Sequence, residues 1–109
     1  IIQPDLRAGG ITECRRIAAL AEAYGVPCIP HFYGNAVRYA ALVHFAASNI
    51  GTTWVEADIH DNPLRTEIFE GVPKVIDGVV SPNQEPGLGI IMKKQEVDRY
   101  TVSRRIVSI

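Results

Sequence analysis

The sequence predicts an α/β fold in which short parallel strands alternate with single helices. Three extended runs, residues 1–5, 26–31 and 52–56, are rich in apolar or β-branched residues, and two stretches of helical periodicity separate them. Strands joined through single helices of this length imply right-handed βαβ crossovers and a parallel sheet. The rhythm stops after Ile59, where proline, glycine and short apolar pieces take over.

The first run, Ile1-Ile2-Gln3-Pro4-Asp5, reads as a short strand. Gly9-Gly10 then makes a turn that needs no Cβ, and Thr12 offers an N-cap hydroxyl to the helix that follows. Cys14, Ile17, Ala18, Ala21 and Tyr24 recur at threes and fours while Glu13, Arg15, Arg16 and Glu22 take the other side, so this helix is amphipathic. Gly25 ends it at the C′ position. Residues 26–31 form the second strand. Gly34-Asn35 opens a strongly apolar helix over 36–48, closed by Asn49 and Gly51, and Thr52-Thr53-Trp54-Val55-Glu56 is the third strand. Pro4, Pro27 and Pro30 fit only strand ends or irregular positions, because proline cannot donate to a ladder.

In the remaining tail, Asn62-Pro63 marks a turn and 64–69 a short helix. Lys74-Val75-Ile76 and Val79-Val80 flank Asp77-Gly78, a two-residue hairpin signal. Pro86-Gly87-Leu88-Gly89 makes a stiff turn before Ile90-Ile91-Met92, and a short helix spans 95–100. Such a tail covers a fold rather than extending its sheet.

Composition narrows the function classes. With 109 residues, 47% of them hydrophobic, the chain has ample material for a core. Its net charge is −1 and its basic residues are scattered, apart from Arg15-Arg16, Lys93-Lys94 and Arg104-Arg105, so no nucleic-acid groove is expected. The apolar runs are too short to span a bilayer. Cys14 and Cys28 lack the spacing of a zinc site or a CxxC pair, which points to buried free thiols in a reducing cytoplasm. The chain opens without Met directly on a strand, and the expectation is a part of a longer protein.

Chemistry is suggested by the strand ends, each of which carries an ionisable residue: Asp5, His31 and Glu56. In a parallel barrel the C-terminal strand ends share one mouth, so three residues far apart in sequence would converge there. Asp5 on the strand beside His31 would accept its Nδ1–H and fix the tautomer, leaving Nε2 to exchange a proton with substrate. Glu56 would anchor polar groups, or donate a hydrogen bond if Trp54 and Val55 made its surroundings apolar enough to keep it protonated. The plainer alternative is that all three are ordinary loop residues. His44, mid-helix, and His60, in a loop, do not repeat the pattern. Gly9-Gly10 lacks both a GxGxxG pattern and a P-loop lysine, which leaves a sharp strand-to-helix turn.

Gln3-Pro4-Asp5, Gly9-Gly10-Ile11-Thr12, the Ile17-Ala18 to Ala21-Glu22 helix, Pro30-His31 and Pro86-Gly87-Leu88-Gly89, in this order and spacing, resemble the C-terminal end of the mandelate racemase subgroup of the enolase superfamily. The resemblance implies a partial (β/α) TIM-type barrel: its last three strands and intervening helices over residues 1–59. It also implies a C-terminal segment, 60–109, whose hairpin-bearing tail closes the barrel and returns towards a capping domain. Asp5, His31 and Glu56 would match the family's residues after the sixth, seventh and eighth strands. The muconate lactonizing branch places a lysine where this chain has Asp5, so the histidine-based branch is the one implied.

That family removes the proton alpha to a carboxylate, with Mg²⁺ stabilising the enediolate. The resemblance puts the Mg²⁺ ligands and a second catalytic lysine on earlier strands, and assigns none of these 109 residues to the metal. It implies a small-molecule carboxylate substrate, most closely a sugar acid, with His31 as general acid/base of a dehydratase, and a homo-oligomer at full length. A racemase or epimerase of a 2-hydroxy acid, or a half-barrel module without turnover, are the alternatives. The 109 residues alone are expected to be inactive.

Overall fold

A computed structural model describes residues 1–107. Two extended segments, 1–5 and 26–31, lie side by side and parallel, joined by bridges at Ile2–Cys28 and Asp5–His31 in one register. Ile2 N–H donates to the Pro27 carbonyl (2.9 Å), and the N–H groups of Ile29 and His31 donate to the carbonyls of Ile2 and Pro4 (3.0 Å each). The same register aims residue 4 at the Ile29 carbonyl, but Pro4 has no N–H to give. One rung is therefore lost, and the pairing reduces to isolated bridges instead of a continuous ladder.

The expected third strand over 52–56 does not pair as a strand. On the side of the second segment that faces it, Pro30 lacks a donor, and the Phe32 N–H is taken by the Glu56 carboxylate (2.7 Å). A side chain thus occupies the place of a ladder bond.

After Asp5 the chain makes a 3₁₀ turn, Leu6–Ala8, and enters α1 (Gly10–Ala23). The helix starts two residues before the predicted Thr12 cap. Gly9 takes φ +133° and makes the bend on its own, without a side-chain cap. A Cβ there would sit 2.6 Å from Glu13 Cβ, so glycine is required by both backbone angle and space. Cys14, Ala18 and Ala21 are buried as the periodicity predicts, whereas Tyr24 at the C-cap is exposed. Gly25 follows at φ +65°, the left-handed end the sequence signals.

The centre of the fold is α2 (Ala36–Ala47), N-capped by Asn35, whose Oδ1 accepts from Arg38 N–H at 3.1 Å. Ala36, Ala40, Leu42 and Phe45 are wholly buried, and Tyr39 stacks obliquely on Phe32 with ring centroids 5.0 Å apart. Leu6, Cys14, Ala18, Ala21 and Cys28 complete this core. Both cysteines are free and buried, and burial raises each thiol pKa.

In the tail, α3 is Pro63–Thr66, capped by Asn62, which is earlier and shorter than the predicted 64–69 helix. Phe69 belongs instead to β1 (Phe69–Glu70), antiparallel to β2 (Ile91–Met92). Asp77 and Gly78 both adopt positive φ, as a type I′ turn requires, but a single bridge, Ile76–Val79, closes it and no longer hairpin forms. The buried Gly89 is crossed by Asn83, whose Nδ2 donates to the carbonyls of Gly71 and Gly89. The final helix, α4 (Lys94–Tyr100), agrees with the prediction within one residue. No helix among the described residues is long and apolar enough to cross a membrane.

The Gly9 bend carries a quantitative expectation. Gly9→Ala should lower the unfolding free energy by about 1–3 kcal/mol, through backbone strain and the Glu13 clash. Gly10→Ala, where the added Cβ meets open space, should cost less. Urea denaturation of the two variants checks the order.

Candidate active site

The Asp5–His31 bridge brings these two residues onto the same face of neighbouring extended segments, with backbones about 5 Å apart. The side chains, however, do not form the expected dyad. His31 Nδ1 lies 2.7 Å from Glu56 Oε2, and the Asp5 carboxylate is turned towards two arginines. Asp5 Oδ1 accepts from the Arg7 backbone N–H (2.8 Å) and from the Arg38 guanidinium, while Oδ2 accepts from Arg7 Nε (3.2 Å). The physical reason is charge. Burial works to raise the Asp5 pKa, but the Arg7 N–H and the Arg38 guanidinium outweigh it and hold the carboxyl below its ordinary range.

Glu56 gathers three donors from two segments. Its Oε2 accepts from Phe32 N–H (2.7 Å) and faces His31 Nδ1, and its Oε1 accepts from Gln3 Nε2 (2.8 Å). The Phe32 N–H is the largest influence, and with His31 and Gln3 it outweighs burial, so the Glu56 pKa is lowered. Glu56 is an ionised acceptor. Of its two expected roles Glu56 thus takes the polar anchor and not the protonated donor, since Trp54, expected to screen it, is 72% exposed.

An ionised carboxylate can only accept, so Nδ1 must carry the proton of this bond and Nε2 is the free lone pair of the neutral ring. The His31 side chain is 43% exposed, which leaves Nε2 reachable from solvent. This pair can take up and return one proton at Nε2 while Glu56 fixes ring and tautomer. A cavity of about 670 Å³ opens farther along, against Phe32, Tyr39, Asp58, Arg65 and Val72; neither His31 nor Glu56 lines it.

Three participants were not singled out from the sequence. Gln3 stood in a quoted motif without a role. Arg38 was the signal most open to reading, as a lone strong charge in the apolar helix α2. Asp58, two residues past Glu56, binds Arg65 (2.7 Å) and His60 (2.8 Å) and is almost fully covered. His60 is thus an exposed partner of Asp58, and His44 ties α2 to the 86–89 turn, its Nε2 lying 3.3 Å from the Leu88 carbonyl.

Among the described residues no group of three His, Cys, Asp or Glu converges as metal ligands. The oxygens of Asp5 and Glu56 are taken by N–H donors, so these residues do not by themselves make a Mg²⁺ site.

Asp58 yields a pH prediction. The His60 N–H, then the His60 ring and Arg65, lower its pKa from 3.8 to about 2. A depressed carboxylate pKa contributes stability above the unfolded value and loses it as pH falls through the folded one. Asp58→Asn should therefore be less stable than wild type at pH 7, with the difference shrinking between pH 3.8 and about 2. Urea midpoints of both proteins across that range check it; a gap unchanged at low pH would contradict it.

The enolase C-terminal domain-like family matches residues 1–97. D-galactarolactone cycloisomerase of Agrobacterium fabrum is 33% identical, over 92% of this chain and 29% of its own length. D-galactonate dehydratase of Xanthomonas campestris is 37% identical, over 91% and 28% respectively. A solved enolase from Pantoea ananatis with bound D-gluconate and Mg superposes with a TM-score of 0.73 at 31% identity, over 84% of this chain and 22% of that one. The chain thus spans less than a third of the length of the curated relatives it matches. Matched along nearly all its length, the chain belongs to the enolase C-terminal domain-like family, and its relatives are enzymes of sugar-acid chemistry.

Proposed function

We propose that this chain supplies the histidine side of an enzyme that removes the α-proton of a sugar-acid carboxylate, an aldonate or aldarate, and expels its β-hydroxyl as water. The observation that carries the reading is the His31–Glu56 pair: a solvent-reachable imidazole held by an ionised carboxylate through Nδ1. Loss of the α-proton to a base leaves its electron pair conjugated with the carboxylate. That pair forms the Cα–Cβ double bond as the Cβ–O bond breaks, and His31 Nε2–H protonates the departing hydroxide to water. The enol then tautomerises to the keto acid, so one substrate gives one keto acid and one water. Glu56 orients the ring and stabilises its cation. Asp5, held by Arg38, is a fixed anion on the neighbouring segment.

The sugar acids in the names of the relatives support the substrate class, and the Mg in the gluconate-bound neighbour supports Mg²⁺ as cofactor. Its ligands, and the base that takes the α-proton, would come from outside these 109 residues. In this reading residues 1–59 belong to the barrel and the segment 60–109, whose last two residues lie outside the described ones, closes it, in a homo-oligomeric cytoplasmic enzyme.

The test is turnover of an aldonate and aldarate panel with Mg²⁺, together with deuterium exchange at the α-carbon, in the protein that carries this chain at full family length. His31→Asn should lose about 10²–10⁴-fold in dehydration, the usual worth of a general acid/base. Asp5→Asn should lose less. Unchanged dehydration in His31→Asn would exclude His31 as the acid, and exchange without elimination in wild type would favour a racemase or epimerase.

A further inference from the structure

The two aromatic residues that follow His31 turn opposite ways. Phe32 is 4% exposed and packs on Tyr39, whereas Tyr33 is 64% exposed. Side chains alternate along an extended chain, so with Phe32 turned into the core His31 and Tyr33 share the outer face, roughly 7 Å apart along it. The backbone beneath Tyr33 is held on both sides. Glu56 takes the Phe32 N–H (2.7 Å), Arg38 Nη1 donates to the Tyr33 carbonyl, Asn62 Nδ2 donates to the Gly34 carbonyl (3.2 Å), and Asn35 caps α2. A Cβ on Gly34 would stand 3.2 Å from Arg38 Cδ, so glycine leaves the arginine its path to the loop. None of these bonds uses the phenol, and among the described residues the Tyr33 hydroxyl has no partner.

An exposed aromatic ring says little by itself, so its place decides. Tyr24 is as exposed but stands just before the second extended segment, at the end away from His31, and Trp54 lies on the unpaired 52–56 run. Tyr33 follows the proposed proton carrier directly, on anchored backbone. A tyrosine so placed offers a rigid, amphipathic surface with few rotamers to lose on binding. We propose that Tyr33 is a specificity-determining residue of the site: its ring face receives the C–H groups of the substrate's far carbons, and its phenol bonds a hydroxyl there. With His31 at the departing β-hydroxyl, the spacing along the face matches the reach to the distal end of a five- or six-carbon acid. This inference rests on the sugar-acid reading, and its test separates the two.

The experiment is steady-state dehydration of aldonates of four, five and six carbons with Mg²⁺, in the protein that carries this chain at full family length. Tyr33→Ala should lower kcat/KM for six-carbon acids by about 10–10²-fold relative to the shortest acid the wild type dehydrates, mainly through KM. Tyr33→Phe, which keeps the ring and loses the hydroxyl, should show a smaller loss of the same kind. An unchanged kcat/KM in Tyr33→Ala, an equal loss for every chain length, or a fall confined to kcat would overturn the assignment of Tyr33 while leaving wild-type dehydration in place. Absence of sugar-acid dehydration in the wild type would instead overturn the function reading and this inference with it. Tyr33 is exposed, and Tyr33→Phe keeps its ring, so that variant reads the hydroxyl contact should Tyr33→Ala disturb the loop.

Discussion

The Glu56 carboxylate is the point on which the site depends. It takes the Gln3 side chain from the first extended segment, and the Phe32 N–H and the His31 ring from the second. Charge-assisted bonds of this kind are stronger than neutral ones, and here they replace backbone ladder bonds that Pro30 cannot make. The residues that interrupt the sheet therefore leave a vacant edge, at which the Glu56 carboxylate takes the Phe32 N–H and fixes the His31 tautomer. Structure and proposed chemistry share one group.

A second anion beside the first would be a liability without its own cation. Asp5 and His31 face each other across one backbone bridge, yet the Asp5 carboxylate is bound by Arg38 and Arg7 and the imidazole by Glu56. Asp58 repeats the device one turn of chain later with Arg65, almost fully covered. Each of the three carboxylates is thus matched to its own donor set, which holds its pKa below the ordinary range.

Much of this was legible in the sequence. Glycine and asparagine punctuation located α1, α2 and the Asp77-Gly78 turn, because φ > 0 and N-cap geometry leave few residue choices. Parallel pairing brings the strand ends Asp5 and His31 together, and Glu56 joins them through its side chain although 52–56 stays unpaired. What period and propensity could not show was which carboxylate meets the imidazole. Asp5 is instead taken by Arg38, which lies in another element and reaches it only after α2 packs. Nor could they show that 52–56 would stay unpaired, because the missing donor belongs to Pro30 on the neighbouring segment. The pairing of Phe69-Glu70 with Ile91-Met92 is likewise long-range, with Asn83 bridging the Gly71 and Gly89 carbonyls beside it, and no local pattern points to it.

The central claim is that Glu56, and not Asp5, is the partner of His31. The most direct measurement is the ¹⁵N resonance of His31 Nδ1 in wild type, Glu56→Gln and Asp5→Asn. The account predicts a protonated Nδ1 whose resonance moves in Glu56→Gln and holds in Asp5→Asn. A resonance that moves in Asp5→Asn and holds in Glu56→Gln would contradict it.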